Sequence, residues 1–248
     1  MNNIGISTNC VMDRSLESAL TILEPLTDLV EIQCDANHSL FHHASVLDKF
    51  DLRYTIHAPT ADGNIAEPFE PIRKASIEII RETASIADSA GAEKLVLHPG
   101  FCLEPENRAA SISALHKSIT ELGTLQNDFS VRFVMENLGS MDCCFFQTPD
   151  LLREIRDAGL GFVLDVGHAN LTKTLDAFLK QKPDHFHLHD NHGIWDEHAA
   201  CGTGTVDFSS VLSYTGNATL ILEVIRLEDV KPGLSYLKSL GFSVLSKV

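Results

Sequence analysis

Arg132-Phe133-Val134-Met135-Glu136 and Gly161-Phe162-Val163-Leu164-Asp165 are two β-rich runs, each apolar until an acid closes it. Between them, Thr148-Pro149 reads as a helix start with proline at the first helical position, and Ala158-Gly159 as its glycine-capped end. Residues 132–165 are therefore one strand–helix–strand unit. The same alternation runs outward in both directions. Further strands are expected at Asn3–Ser7, Leu29–Gln33, Tyr54–His57, Lys94–His98, His185–His189 and Thr219–Val224. A helix is expected over Pro71–Ala90, with Ile72, Ala75, Ile79, Ile80, Thr83 and Ala87 on one face. Others are expected over Asn107–Leu122, Pro149–Ala158, Leu175–Gln181, Phe208–Tyr214 and Val230–Leu240, and glycine caps recur at Ala90-Gly91 and Leu240-Gly241. Eight such units in 248 residues predict an α/β fold, a (β/α)8 barrel, in one domain over residues 1–248. An open doubly wound sheet shares the alternation, but no Gly-x-Gly-x-x-Gly follows the first strand and no linker divides the chain.

Composition narrows the function classes. With 44% hydrophobic and 21% charged residues, the chain is an ordinary globular one. Asp plus Glu number 34 against 19 Lys plus Arg, a formal net charge of -15, which repels polyanions and argues against broad nucleic-acid or anionic-membrane binding. A local cation site survives that argument, because bound divalent ions invert the potential of an acidic cleft. No apolar run is long enough for a transmembrane helix, and Met1-Asn2-Asn3 leads into a strand-like run without the pattern of a signal peptide. Cys10, Cys34, Cys102, Cys143, Cys144 and Cys201 form no Cys-x-x-Cys pair, so reduced thiols in a cytoplasmic setting are expected.

The strand ends carry the chemistry. Strand three ends Ile56-His57-Ala58-Pro59, strand four Leu97-His98-Pro99-Gly100, strand five Met135-Glu136-Asn137 and strand six Leu164-Asp165-Val166-Gly167-His168. Strand seven gives His187-Leu188-His189-Asp190-Asn191, its loop Asp196-Glu197-His198, and strand eight Leu222-Glu223. A lone strand-end His or Asp is usually a capped structural residue. A barrel gathers all of these at one mouth, however, where such a cluster is expensive to desolvate without a compensating cation. Imidazole and carboxylate together suit zinc, manganese, iron or cobalt.

The ordered set His57, His98, Glu136, Asp165-x-x-His168, His187, Asp196-x-His198, Gly202-x-Gly204 and Glu223 resembles the xylose isomerase-like TIM-barrel superfamily, from about Ile56 to Glu223. That group includes sugar-phosphate isomerases and epimerases and endonuclease IV-type apurinic/apyrimidinic endonucleases. In endonuclease IV, residues corresponding to His57, His98, Glu136, Asp165, His168, His187, Asp196, His198 and Glu223 hold three zinc ions. In the epimerases, the equivalents of Glu136, Asp165, His187 and Glu223 hold one metal, and the two glutamates also move protons. One to three divalent ions per chain are therefore implied. The endonuclease wedges polar and aromatic side chains into DNA from the loop after strand two. Here that loop, Cys34-Asp35-Ala36-Asn37-His38-Ser39-Leu40-Phe41-His42-His43, has neither Arg nor Trp, and the single Trp195 follows strand seven.

The favoured expectation is thus a metal-dependent isomerase or epimerase acting on a small sugar or sugar phosphate through a metal-stabilised enediolate. Glu136 and Glu223 would be base and acid on two faces of the substrate, and His168 would hold a substrate oxygen. The alternative is abasic-site phosphodiester cleavage with DNA as the partner; a non-catalytic metal-binding barrel is the third possibility. Asp196 and His198 are expected to form the ligand arm of a further ion. His189, on the same side of the strand as His187, and Arg226, three residues past Glu223, are candidate substrate contacts. Glu31 faces either into the barrel or outward to a helix, His38, His42 and His43 read as a solvated loop, and His116 as helix surface.

Overall fold

All eight expected strands form, and in the computed structural model, which describes residues 3–244, they run parallel around a closed barrel in sequence order. They are β1 (Gly5–Ser7), β2 (Leu29–Gln33), β3 (Arg53–His57), β4 (Lys94–Leu97), β5 (Arg132–Glu136), β6 (Gly161–Asp165), β7 (His185–Leu188) and β8 (Thr219–Leu222). Pairing of Gly5 with Ile221 and Ile6 with Leu222 closes the ring. The helices are α1 (Leu16–Leu23), α2 (Leu40–His43), α3 (Glu70–Ser89), α4 (Arg108–Leu125), α5 (Leu152–Asp157), α6 (Val166–Thr172), α7 (Leu175–Leu179), α8 (Phe208–Leu212) and α9 (Leu227–Leu240). This is a TIM barrel in a single domain. Residues 1 and 2, part of the N-terminal run read from the sequence, lie outside the described residues.

The main core lies between the outward faces of the strands and the helices. Phe133, Phe162, Phe186 and Ile6 belong to it, with Leu20, Ile119 and Leu237 from the helices. Val96, Val134 and Val163 form a separate apolar cluster. Each stands two residues before His98, Glu136 or Asp165, so strand alternation puts an apolar layer directly beneath the polar strand ends. The strands expected at Lys94–His98, His185–His189 and Thr219–Val224 stop one or two residues sooner, and His98, His189 and Glu223 among the remaining residues join the ligand groups at the mouth.

Three corrections concern helices. The first is α3, whose expected face holds at Ile80, Thr83 and Ala87 but shifts by one residue in its first turns: Ile72 and Ala75 are exposed, while Arg73, Ser76 and Ile77 are buried. Buried Arg73 is tolerated because its guanidinium meets Glu70 at 2.7 Å, Glu121 at 3.0 Å and Ser118 at 2.9 Å. The second is α6, which begins immediately after β6. Asp165 caps it, its carboxylate accepting from the His168 backbone N–H at 2.6 Å, and no turn signal precedes it. The third is α1, capped by Ser15 and absent from the expectations. The three glycine caps hold, with Gly91, Gly159 and Gly241 all at positive φ. No described helix is long and apolar enough to cross a membrane.

Candidate functional site

Strand register brings the strand-end residues into rings. Asp165 of β6 pairs with His187 of β7, and Gln33 of β2 with His57 of β3. One ligand atom from each of Glu136, Asp165, His187 and Glu223 falls within 4.8 Å of the others, and all four residues are buried. His187 Nδ1 is the hub, 3.4 Å from Glu136, 3.3 Å from Glu223 and 3.8 Å from Asp165. Two further groups flank this one: His57, His98 and Glu136 on one side, and His168, His189, Asp196 and His198 on the other. All nine residues of the expected ligand set therefore lie at one mouth.

Hydrogen bonds fix the imidazoles in one orientation. His57 Nδ1 donates to the Ala58 carbonyl at 3.0 Å, His168 Nδ1 to that of Asn137 at 2.9 Å, and His198 Nδ1 to that of Glu223 at 2.9 Å. A carbonyl only accepts, so in each ring Nδ1 carries a proton. Nε2 is then aimed at a carboxylate: Glu136 for His57, and the same Asp196 oxygen for both His168 and His198, each at 3.1 Å. A bare Nε2 lone pair facing a carboxylate is repulsive, so positive charge must lie between them. Protons on the rings supply it in the free protein. Burial alone would lower His57, but Glu136 overrides it and the ring is pushed up to about 9. His198, buried beside Asp196 and Glu223, also reaches about 9. Burial would raise the Glu136 carboxyl, yet the facing imidazoles of His187, His168 and His57 hold it well below the usual carboxylate range. A divalent cation satisfies the same donors without charging the imidazoles, and the pattern of ring N–H to carbonyl with the other nitrogen inward is what metal-ligating histidines use. The residues fit such an ion.

Beneath the hub lies Glu31, wholly buried and facing into the barrel rather than outward. Its carboxylate is 2.9 Å from His187 Nε2 and 3.1 Å from His185 Nε2, and accepts from Thr55 Oγ1 at 2.8 Å. Burial drives His185 down to about 4 despite Glu31. His185 escaped the sequence reading although it stands two residues before His187, a spacing that puts both inside. Asn137 was also missed; it accepts from Asp165 N–H at 2.8 Å and donates to the Asp165 carbonyl at 3.1 Å, locking β6 to β5.

Of the two substrate candidates, His189 is fully buried, with Nε2 2.9 Å from Asp165 and its ring stacked on His198 at 3.8 Å. Gly167 makes room for it: a Cβ there would stand 2.0 Å from the His189 ring. Arg226 is not brought to the mouth; it is exposed and turned onto Asp229 at 2.8 Å. His38 corrects the solvated-loop expectation, being fully buried, while His42 and His43 are exposed. His116 lies on the surface against Glu154 at 2.6 Å. Above the ligands opens a cavity of about 500 Å³, walled by Gln33, Asp35, Thr60, Phe101 and Met141 and floored by Glu136 and Glu223.

Residues 16–240 match the sequence family described as the xylose isomerase-like TIM barrel. The chain belongs to that family. It is similar to the uncharacterized protein MJ1614 of Methanocaldococcus jannaschii, 35% identical over 215 residues, 84% of this chain and 85% of the relative. Among solved structures, a D-tagatose 3-epimerase-like protein superposes with a TM-score of 0.86 at 25% identity over 96% of each chain. The IOLI protein with a bound zinc atom has the same fold, with a TM-score of 0.77 at 17% identity over 96% of each chain.

Proposed function

We propose that this barrel is a divalent-metal-dependent isomerase or epimerase of a small sugar, with Glu136, Asp165, His187 and Glu223 holding zinc, manganese or a similar ion. The observation that carries it is the pairing of two buried glutamates, on β5 and β8, in one ligand group at the floor of a cavity large enough for a monosaccharide. The similarity to the epimerase-like structure supports the substrate class, and the zinc found in a protein of the same fold supports the metal. The ion would supply Lewis acidity to the carbonyl and hydroxyl oxygens of the substrate, acidifying the carbon between them.

Glu136 and Glu223 then take a proton from one face of that carbon and return one to the other, which inverts it; return to the neighbouring carbon isomerises the sugar. His168, whose Nδ1 is held by the Asn137 carbonyl and whose Nε2 meets Asp196, lines the cavity and would orient a substrate oxygen on exchanging the Asp196 contact for it. The six cysteines are all free in the structure, in keeping with a reducing, cytoplasmic setting. The experiment is solvent-deuterium incorporation into a panel of ketoses by the metal-loaded protein. Deuterium at the reacting carbon, lost in Glu136→Gln and Glu223→Gln, supports the proposal; no incorporation from any ketose or ketose phosphate removes it.

A second reading rests on the two flanking groups, which a single ion leaves unused: three adjoining ligand groups suit a polynuclear centre that cleaves a phosphodiester. Incision of an abasic-site duplex at low salt, with Glu136→Gln as control, tests it. Duplex binding needs several Lys or Arg contacts, and the described residues lining the cavity include neither.

A further inference from the structure

The choice between a sugar and a sugar phosphate can be made from how the mouth disposes its charges and its amides. The carboxylates lining the cavity are Asp35, Glu136, Asp196 and Glu223, and the only basic groups among its described lining residues are imidazoles. Phosphate groups are bound by Arg or Lys, by nests of backbone N–H groups, or by helix N-termini. In (β/α)8 barrels the usual place is the loops after strands seven and eight and the start of a short helix.

Here that place is filled from within. The glycine loop after β7 wraps its amides around buried Asp190: Gly202 and Gly204 N–H donate to Oδ2, each at 2.9 Å, and Asn191 and Val206 N–H to Oδ1 at 2.9 and 3.1 Å. Gly204 is required for that wrap, since a Cβ would stand 2.3 Å from the Asn191 carbonyl. The start of α8 is occupied by the Asp207 carboxylate, which accepts from Ser209 and Ser210 N–H. The first turn of α9 carries Glu228 and Asp229, the latter holding Arg226. The glycine loop and the start of α8 thus already hold the chain's own carboxylates, and the first turn of α9 presents two more to any incoming anion.

Asp35, just past β2, lines the same cavity and is fixed by three donors. Its Oδ2 accepts from Gln33 Nε2 at 2.7 Å and from Thr60 Oγ1 at 3.0 Å, and Thr60 N–H reaches both oxygens, at 3.1 and 3.2 Å. Oδ1 meets only the shared Thr60 amide, so acceptor capacity remains on a carboxylate that lines the cavity. A carboxylate accepts hydrogen bonds and donates none, so it receives a hydroxyl and repels a phosphate.

We propose that the substrate is an uncharged ketose rather than a sugar phosphate, and that Asp35 determines this specificity by accepting a hydrogen bond from a hydroxyl remote from the reacting carbon. The inference rests on the isomerase or epimerase function proposed above. Pairs of five- and six-carbon ketoses and their terminal phosphates are compared by deuterium incorporation with the metal-loaded protein. The free sugar is expected to exceed its phosphate in kcat/KM by about a hundredfold. Asp35→Asn is expected to raise KM for the free sugar about ten- to a hundredfold with kcat nearly unchanged, and to narrow the gap to the phosphate. Faster exchange of the phosphates overturns the inference and leaves the isomerase function standing. A kcat loss at constant KM in Asp35→Asn overturns the role given to Asp35. If no member exchanges, the isomerase function falls, and calorimetry with the same pairs and with inorganic phosphate decides the inference. Tighter binding of the free sugars supports it; tighter binding of the phosphates, or no binding of the free sugars, overturns it.

Discussion

Asp190 and Glu136 are buried alike, at 0% and 1% exposure, yet their surroundings differ in kind. Four backbone amides of one loop converge on Asp190. Among the described residues no backbone amide reaches the Glu136 carboxylate; it is met by the imidazoles of His57, His98, His168 and His187. The loop satisfies both Asp190 oxygens with donors that neither titrate nor leave. The charge of Glu136 is balanced by groups that exchange protons and accept a metal. Burial does not separate a structural acid from a functional one. The donor set does.

Substitutions at the two carboxylates should therefore fail in opposite ways. Glu136→Gln is expected to lower deuterium exchange by about 10²- to 10⁴-fold, the usual contribution of a positioned acid or base, while the protein remains folded by circular dichroism. It should also lose the rise in melting temperature that added zinc or manganese gives the wild type. Asp190→Ala leaves four amides without their acceptor and is expected to cost about 3–5 kcal/mol, lowering the melting temperature by roughly 6–20 °C. Its folded fraction should still bind metal. An Asp190→Ala protein of normal stability without metal binding would collapse the distinction.

Glu31 lies between these extremes, since it touches His187 from below without reaching the cavity. Both ring nitrogens of His187 lack a well-aligned hydrogen bond, so the carboxylate acts by position and charge, holding the ring with Nδ1 toward the mouth. Glu31→Gln is expected to weaken metal affinity about 10- to 100-fold in a competition titration with a chelator. Unchanged affinity would make Glu31 part of the packing alone. The smallest effect belongs to Arg226→Ala, which removes an exposed ion pair screened by solvent and should leave kcat/KM within about twofold. A tenfold loss would return Arg226 to the substrate.

The strands were legible because each is a short apolar run closed by a polar residue, and eight of them in this length admit few folds. The ligand set was legible for the same reason, since a parallel barrel turns every strand end to one mouth. What escaped is local. Arg73 reads as a surface residue until Glu70 and Glu121, the latter 48 positions away, are brought to it. Val166–Thr172 carries no helix signal of its own because its cap, Asp165, is also the last residue of its strand. His185 reads as a strand start, and Asp190 as one more acid in a polar loop; only the folded loop shows that its amides are spent on it.

Metal content tests the central claim most directly. Protein purified without chelator is expected to carry at least one divalent ion per chain by elemental analysis, and chelator-treated protein to regain melting temperature on reconstitution. Asp165→Asn, which removes one ligand charge at the hub, should lower the content or the affinity. Fewer than ~0.2 ions per chain, with no stabilisation by any added divalent metal, would contradict a metal centre at these strand ends.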